Sequence, residues 1–382
     1  MLYYNQCMQK PKVALVHEYL NQYGGAEKTL EELLDVFPES PIYTGMYIPG
    51  KVSDKINNRT IIAPKSALLS KFPKYLTFLM PLIFESFDLD RYDLIISDGT
   101  AWPKSVLTKP DQLHISYIHT PPRFLYKYSV ESSKRNKWYF KPFVGVIDHW
   151  LRIWDYNAAQ RPDYLLVNSK EIRKRVQKFY GRESTVIYPP VNVHYNIAVE
   201  KNNLTSPYFL ALGRLSAYKN IHLLVQAFNL LEKPLVVVGT GVEETELKKM
   251  AKDNIIFTGQ VSETEKHKYL EGCLGLINPV VDEDFGIVPV EALAHGKPVL
   301  MHRSGGTMET VIEGVSGMYL ENVNLDHIVQ KIKEFEEEIR KGTYNPAEIK
   351  KSALKFDRER FKQEFETFVN DKWKEHLEKH PA

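Results

Sequence analysis

The chain has 382 residues, with 50 Lys and Arg against 48 Asp and Glu, a formal net charge of +2. Hydrophobic residues make up 43% and charged residues 26%, close to the globular average, which excludes a disordered chain and leaves room for roughly two to three domains of about 150 residues. A balance this near neutrality also excludes a globally basic nucleic-acid binder.

The residues before Lys12 lack the basic start and apolar stretch of a signal peptide. Lys12–Val16 reads as a buried strand, and a Gly24-Gly25 turn and a helical run, Ala26–Phe37, follow it. Asp93–Ser97, Leu113–Ile118 and Asp163–Val167 read as further strands. Short apolar strands alternating with amphipathic stretches are the pattern of a parallel sheet covered on both faces. The pattern weakens at Tyr188-Pro189-Pro190-Val191-Asn192 and on to Pro207, which reads as a linker. It then restarts, with strands expected at Tyr208–Gly213, Leu235–Gly239, Ile255–Phe257, Gly275–Asn278 and Pro298–Met301. Helices are expected between them at His222–Leu231, Glu243–Ala251, Glu263–Gly272 and Val290–His295. The tail, Asp326–Lys379, is charged and helix-periodic, with Phe356, Phe361, Phe365, Phe368 and Trp373 at roughly helical spacing.

The expected fold class is therefore α/β: two tandem doubly wound Rossmann-like domains, residues 1–190 and 207–355. Residues 356–382 are expected as a C-terminal helix returning to the first domain. In such sheets ligands bind beyond the carboxyl ends of the strands, so the site is expected in the cleft between the domains.

The most informative segment is Asp282–Ala294, which follows a strand and opens a helix. Gly286 lets the backbone approach a ligand, and Pro289 suits a first helical turn. Free N–H groups at the helix start suit a phosphate. Glu283 and Glu291 flank this turn with seven residues between them, and carboxylates accept paired sugar hydroxyls well. Taken alone, the two glutamates fit a solvated loop acid and a helix-dipole acid better; the rest of the chain alters that weighting.

The segment resembles the E-x7-E motif of retaining glycosyltransferases of family GT4, which have the GT-B fold. Other pieces match in order: Gly24-Gly25-Ala26-Glu27, Val167-Asn168-Ser169-Lys170, Tyr188-Pro189-Pro190-Val191, Gly213-Arg214-Leu215 with Lys219-Asn220, Ser304-Gly305-Gly306 and Gly314-Val315-Ser316-Gly317. The resemblance runs from about residue 12 to about residue 370. Thr307-Met308-Glu309 departs from the family's Pro-Ala-Glu-like run, with Glu309 retained. The resemblance implies an acceptor-binding first domain and a nucleotide-sugar-binding second domain. It implies that Glu283 holds hydroxyls of the transferred sugar, that Glu291 holds the ribose, and that Arg214 and Lys219 grip the donor diphosphate. Gly24 and Gly25 lie near the same phosphates, and Phe285, Gly286, Ile287 and Val288 belong to the donor site on this reading.

The run Tyr117–Tyr126, with His119 in it, resembles one found among bacterial mannosyltransferases that build O-antigen or capsule; there the histidine faces the donor sugar. The implied activity is transfer of a hexose, mannose from GDP-mannose in the first place, onto a lipid-linked or polysaccharide glycan by front-face substitution. His119 is not assigned as an obligatory base, nor Glu283 as a covalent nucleophile. A UDP-sugar donor stays open, and a nucleotide-sugar 2-epimerase or a non-catalytic sugar-nucleotide binder are weaker alternatives.

Arg214, Lys219 and the helix start can supply the positive charge a diphosphate needs, so no cofactor and no metal are expected. Residues 55–84 hold five basic residues and no acidic one among many large apolar ones, which suits peripheral contact with an anionic membrane. Lys134–Lys141 is a second basic-aromatic run. Neither run carries a nucleic-acid recognition signature, so no nucleic acid is expected as partner. No stretch reaches the ~18 consecutive apolar residues of a membrane span, and Cys7 and Cys273 form no disulfide framework. The expected location is the cytoplasm, peripheral to the inner face of the cell membrane.

Overall fold

The structure, a computed structural model, describes residues 10–64, 79–126, 141–195 and 207–380. The first sheet has seven strands: β1 (Val13–His17), β2 (Ile42–Thr44), β3 (Ile61–Ile62), β4 (Leu94–Gly99), β5 (Leu113–Ile118), β6 (Tyr164–Val167) and β7 (Thr185–Val186). They are all parallel, in the order β3-β2-β1-β4-β5-β6-β7. Every residue of β4 and β5 is buried, as in a parallel sheet covered on both faces; β4 opens on the apolar run Leu94–Ile96, whereas β5 alternates and buries His114 and Ser116 as well. The chain leaves β1 toward β2 on one side and returns at β4 on the other, so the switch point lies between β1 and β4.

The second sheet has six parallel strands: β8 (Phe209–Leu212), β9 (Leu235–Val238), β10 (Ile255–Gly259), β11 (Leu276–Asn278), β12 (Val299–His302) and β13 (Gly317–Leu320). Their order is β10-β9-β8-β11-β12-β13, with the switch point between β8 and β11. One core, from Val191 and Phe209 to Phe356, lines this sheet.

One face of the first sheet packs Leu15, Ile96 and Tyr117 against Leu30 and Leu33 of helix Gly25–Val36. The last helix, Arg358–Lys379, shares that core through Phe361, Phe365, Val369 and Trp373. The opposite face carries Met80, Phe84, Trp102 and Leu151. The chain passes between the sheets twice at nearly one point: the Val191 N–H donates to the Phe356 carbonyl (2.9 Å) and the Arg358 N–H to the Val191 carbonyl (3.1 Å).

Four strands exceed the sequence expectation: β2, β3, β7 and β13. Three have only two or three residues, below the length at which an apolar run stands out. The fourth, Gly317–Leu320, begins at the last residue of the Gly314–Gly317 stretch, which the sequence offers only as a match to the family. Helix Ile287–Ala294 starts three residues before the expected Val290, which puts Pro289 at its third position. Of the basic-apolar runs, residues 65–78 and 134–140 lie outside the described residues. No helix among the described residues is long and apolar enough to cross a membrane.

Candidate functional site

The loop between β11 and helix Ile287–Ala294 carries Glu283 in a fixed conformation. Asp282 adopts φ 56° and donates its N–H to Ser304 Oγ at 2.8 Å. Gly286, at φ +95°, precedes the helix in a conformation that strains any L side chain. Beneath the loop, the Gly306 N–H donates to the Glu283 carbonyl at 2.8 Å. A Cβ at Gly306 would stand 2.2 Å from the Asp284 carbonyl oxygen, so only glycine admits this approach.

Glu283 Oε2 accepts from Lys219 Nζ at 2.7 Å. Lys219 ends a short turn, Ala217–Lys219, and Asn220 follows it at φ 56°, its Nδ2 donating to the Pro279 carbonyl at 3.0 Å. That bond ties the lysine's loop to the glutamate's strand. Burial opposes ionisation of Glu283, yet Lys219, Arg123 and Arg175 hold its carboxyl below the usual range. Glu291, 4% exposed, accepts at Oε1 from Lys266 Nζ (2.7 Å) and from Lys28 Nζ (3.1 Å). Burial again opposes the charge, and the two lysines overcome it, holding the carboxyl at about 2.

The first domain faces this loop directly. Lys28 comes from helix Gly25–Val36 and also meets Glu263 at 3.1 Å. A Cβ on Gly25 would stand 2.7 Å from Ile287 Cδ1, so the glycine loop and the start of the glutamate helix touch. Arg123 Nη2 reaches the Asp282 carbonyl (2.9 Å) and Asp284 Oδ1 (2.8 Å). Arg175 Nη1 meets the same Oδ1 at 2.8 Å, and Ser169 Oγ donates to the Asp284 carbonyl at 2.7 Å. Glu309 crosses the boundary too: its carboxylate accepts the N–H groups of Lys170 (3.0 Å) and Glu171 (3.1 Å) and the Tyr188 hydroxyl (3.1 Å). It thus caps the first turn of helix Lys170–Tyr180 from outside, where a carboxylate favours the helix dipole.

At the carboxyl ends of β1, β4 and β5 stand His17, Asp98 and His119. His17 Nδ1 lies 2.8 Å from Asp98 Oδ2, and His119 Nε2 lies 2.7 Å from Asp98 Oδ1. The His119 approach is close, but neither Nε2 nor Oδ1 meets hydrogen-bond geometry there.

Of the residues singled out in the sequence, Gly24, Gly25, Lys219, Glu283, Gly286, Ile287 and Glu291 converge where the domains meet. Val288 is half-buried in the first turn of the glutamate helix. Arg214 is exposed at the carboxyl end of β8, in the connection that also carries Lys219. Phe285 borders this loop through its backbone. Its ring is 2% exposed and packs against Tyr188 (5.8 Å between centroids) and Phe356 (5.2 Å), so it belongs to the core and offers a ligand only its backbone.

Sequence reasoning missed the groups that hold the site: Lys28, Lys266, Arg123, Arg175, Ser169, Asp98 and His17. Lys28 directly follows the quoted glycine run, Arg123 lies inside the His119 run and Ser169 inside the Val167–Lys170 run, so position alone could have flagged those three. Among the described residues no group of three or more His, Cys, Asp or Glu is arranged to hold a metal ion. The arrangement offers two ionised carboxylates for hydroxyls, and beside them lysines and a helix start for an anion.

Two family models match adjacent stretches of the chain: Glycosyltransferase Family 4 over residues 23–195 and Glycosyl transferases group 1 over residues 195–350. An alpha-1,3/1,6-mannosyltransferase of Dictyostelium discoideum is 29% identical over 262 residues, covering 54% of this chain and 60% of that protein. The O-antigen chain mannosyltransferase C of Escherichia coli is 25% identical over 238 residues, covering 59% of this chain and 62% of that protein. The chain thus spans less than two thirds of the length of these relatives. Among solved structures, Anabaena HepE in complex with UDP superposes with a TM-score of 0.66 at 17% identity, covering 94% of this chain and 99% of that one. That likeness shows a shared two-domain fold, GT-B.

Proposed function

Because the chain belongs to the group 1, family 4 glycosyltransferases and has their GT-B fold, we propose that it transfers a hexose, mannose from GDP-mannose, to a lipid-linked glycan with retention of configuration. One observation carries the reading: Glu283 and Glu291 are both held ionised on either side of a helix start that touches the glycine loop of the facing domain. Ionised carboxylates are pure acceptors, which is what sugar and ribose hydroxyls require. Both lysines on Glu291 meet Oε1, which leaves Oε2 as the oxygen a ribose hydroxyl would donate to.

In this reading the donor diphosphate lies between Gly24-Gly25 and the start of helix Ile287–Ala294. Lys219 and Arg214 stabilise the charge that grows on it as the glycosidic bond breaks. These groups supply the positive charge from the chain itself, so transfer is proposed to need no metal. The leaving phosphate takes the acceptor proton on the same face of the sugar, and configuration is kept. His119 faces the transferred sugar. Mannose is favoured by the run around His119 and by the mannosyltransferases among the relatives. The acceptor is proposed to be presented at the inner face of the cell membrane. There residues 55–84 and an exposed apolar helix face of the first domain would contact anionic lipid.

Thermal unfolding with GDP, UDP and ADP in separate samples tests the donor. A ligand at about 100 times its Kd adds roughly 2.7 kcal/mol to the folded state, a shift of several degrees. The expected result is a shift with GDP alone, followed by mannose transfer from GDP-mannose that survives a chelator. A shift with UDP alone overturns the mannose assignment, and no shift with any nucleotide overturns the donor site.

A further inference from the structure

Resting on that reading of the site, we propose that His17 and Asp98 are positioning residues: they set the imidazole of His119 toward the donor sugar and link it to the glycine loop that faces the donor phosphates. The sheet dictates the arrangement. His17 ends β1 and Asp98 stands one residue from the end of β4, and the two are register partners across the switch point. Asp98 pairs on its other side with Tyr117 of β5, two residues before His119. Three adjacent strand ends thus deliver His17, Asp98 and His119 to one spot, where doubly wound sheets bind ligands.

The contacts form one line. Asp98 Oδ1 stands 2.7 Å from His119 Nε2, and Asp98 Oδ2 is hydrogen-bonded to His17 Nδ1 at 2.8 Å. His17 Nε2 then faces Glu27 Oε1 at 3.8 Å, and Glu27 Oε2 accepts the Gly24 N–H at 2.7 Å. His17 and Asp98 are each 1% exposed and Glu27 is 4% exposed. Two carboxylates in so dry a space repel unless a cation lies between them. Burial works against a charged His17, but Asp98 and Glu27 together hold it protonated, raising it to about 10. Charges buried at this depth are costly, and a core without a task for them is better served by apolar residues.

The far end of the line is the half that reaches substrate. The His119 side chain is 15% exposed. The backbone N–H of His119 donates to the Gly99 carbonyl at 3.0 Å, and the Tyr117 ring meets the imidazole edge-on at 5.3 Å. The backbone and Tyr117 therefore fix where His119 stands, and Asp98 fixes how its ring turns. With Nε2 turned to Asp98, Nδ1 is the nitrogen that remains for a sugar hydroxyl.

The test uses the full chain with Asp98→Asn and, separately, the double variant His17→Gln/Asp98→Asn, which removes both buried charges and keeps an amide pair in their place. Sugar transfer is expected to lose about 10- to 100-fold in kcat, the range seen when a partner that orients a functional histidine is lost. Donor KM should stay within about threefold, because Lys219, Glu283 and Glu291 are untouched. A kcat equal to wild type in a folded double variant overturns the proposal. Selective 15N labelling of histidine gives a readout that needs no reaction: the ring nitrogen signals of His119 should move in both variants. Unmoved His119 signals overturn the link even if kcat falls. Should the wild-type protein bind no nucleotide and transfer no sugar, the functional reading fails, and the nitrogen signals still decide whether His17 and Asp98 orient His119.

Discussion

Lys28 of the first domain and Glu291 of the second meet at 3.1 Å, although 263 positions separate them in the chain. Lys266 reaches the same carboxylate oxygen at 2.7 Å, and Glu263 meets both lysines. Two ammonium groups and two carboxylates thus balance at the point where Gly25 leans on Ile287. Lys28 is the only one of the four that comes from the first domain. Lys28→Ala leaves two carboxylates sharing one cation and removes a charge-assisted bond between the domains. The expected outcome is a larger radius of gyration by small-angle scattering. GDP should also bind about tenfold more weakly, ~1.4 kcal/mol by titration calorimetry. An unchanged radius and Kd would show that this ion pair does not hold the cleft.

The same cluster sets a pH dependence. The carboxyl of Glu291 is held at about 2, against an ordinary 4.5. A folded-state value below the unfolded one adds stability above the unfolded value, and that stability is lost as pH falls through the folded value. The relevant window is therefore from pH 4.5 down to about 2, and the loss is at most about 3 kcal/mol. Glu283, shifted in the same direction, adds to it. Chemical denaturation across that window should show a shallower fall for Glu291→Gln than for the wild type. Parallel curves would mean that the cluster does not couple to folding.

Phe285 distinguishes a core residue from a ligand residue. Its ring lies among Tyr188 and Phe356, where the two chain crossings meet. Phe285→Ala should cost about 3–5 kcal/mol of stability, as truncation of a buried aromatic does. Per folded molecule, its donor KM should match the wild type at a temperature well below the lowered Tm. A raised KM with unchanged Tm would return the ring to the donor site.

How far the sequence shows this arrangement follows from which signals are local. β1, β4, β8, β9 and β12 are legible because strands buried on both faces carry continuous apolar runs. The edge strands β3 and β7 have two residues each and leave no such run. Glu283, Glu291 and Lys219 are singled out by the resemblance of the runs that hold them to the family's motifs, since the spacing of the two glutamates alone fits a solvated loop acid and a helix-dipole acid. Their partners are harder to read: Lys28 and Arg123 lie beside or inside quoted runs and Arg175 in none, and only the facing of two domains makes all three counter-ions. His17 and Asp98 hide for another reason. Each sits at the end of an apolar strand, and their pairing exists only once β1 lies beside β4. Phe285 adjoins the glutamate loop, and that its ring turns the other way into the core is invisible in the sequence.

Helix Lys141–Ala158 turns a row of large apolar side chains to solvent: Val146, Ile147, Trp150, Ile153 and Tyr156, with Trp150 67% exposed. Steps of three and four residues put Val146, Ile147, Trp150 and Ile153 on one face. Leu82, 65% exposed, sits on the neighbouring helix Met80–Glu85, tied to this one by Trp154 Nε1 donating to Glu85 Oε1 at 3.3 Å. Isolated exposed apolar residues are ordinary, whereas a contiguous row marks a contact surface. Charge selects the partner. In the sequence, residues 132–147 hold Lys134, Arg135, Lys137 and Lys141 and no acidic residue, and residues 55–84 show the same bias. Basic residues next in sequence to an apolar helix suit an anionic lipid surface, each contributing about 1 kcal/mol near it. The protein is therefore expected to sediment with vesicles of phosphatidylglycerol and phosphatidylcholine, less so with phosphatidylcholine alone, and less as salt rises. Trp150→Glu should abolish most of the binding and leave the nucleotide-induced shift in Tm intact. If the wild type instead dimerises in solution and Trp150→Glu makes it monomeric without changing vesicle binding, the row is a protein interface and the lipid assignment fails.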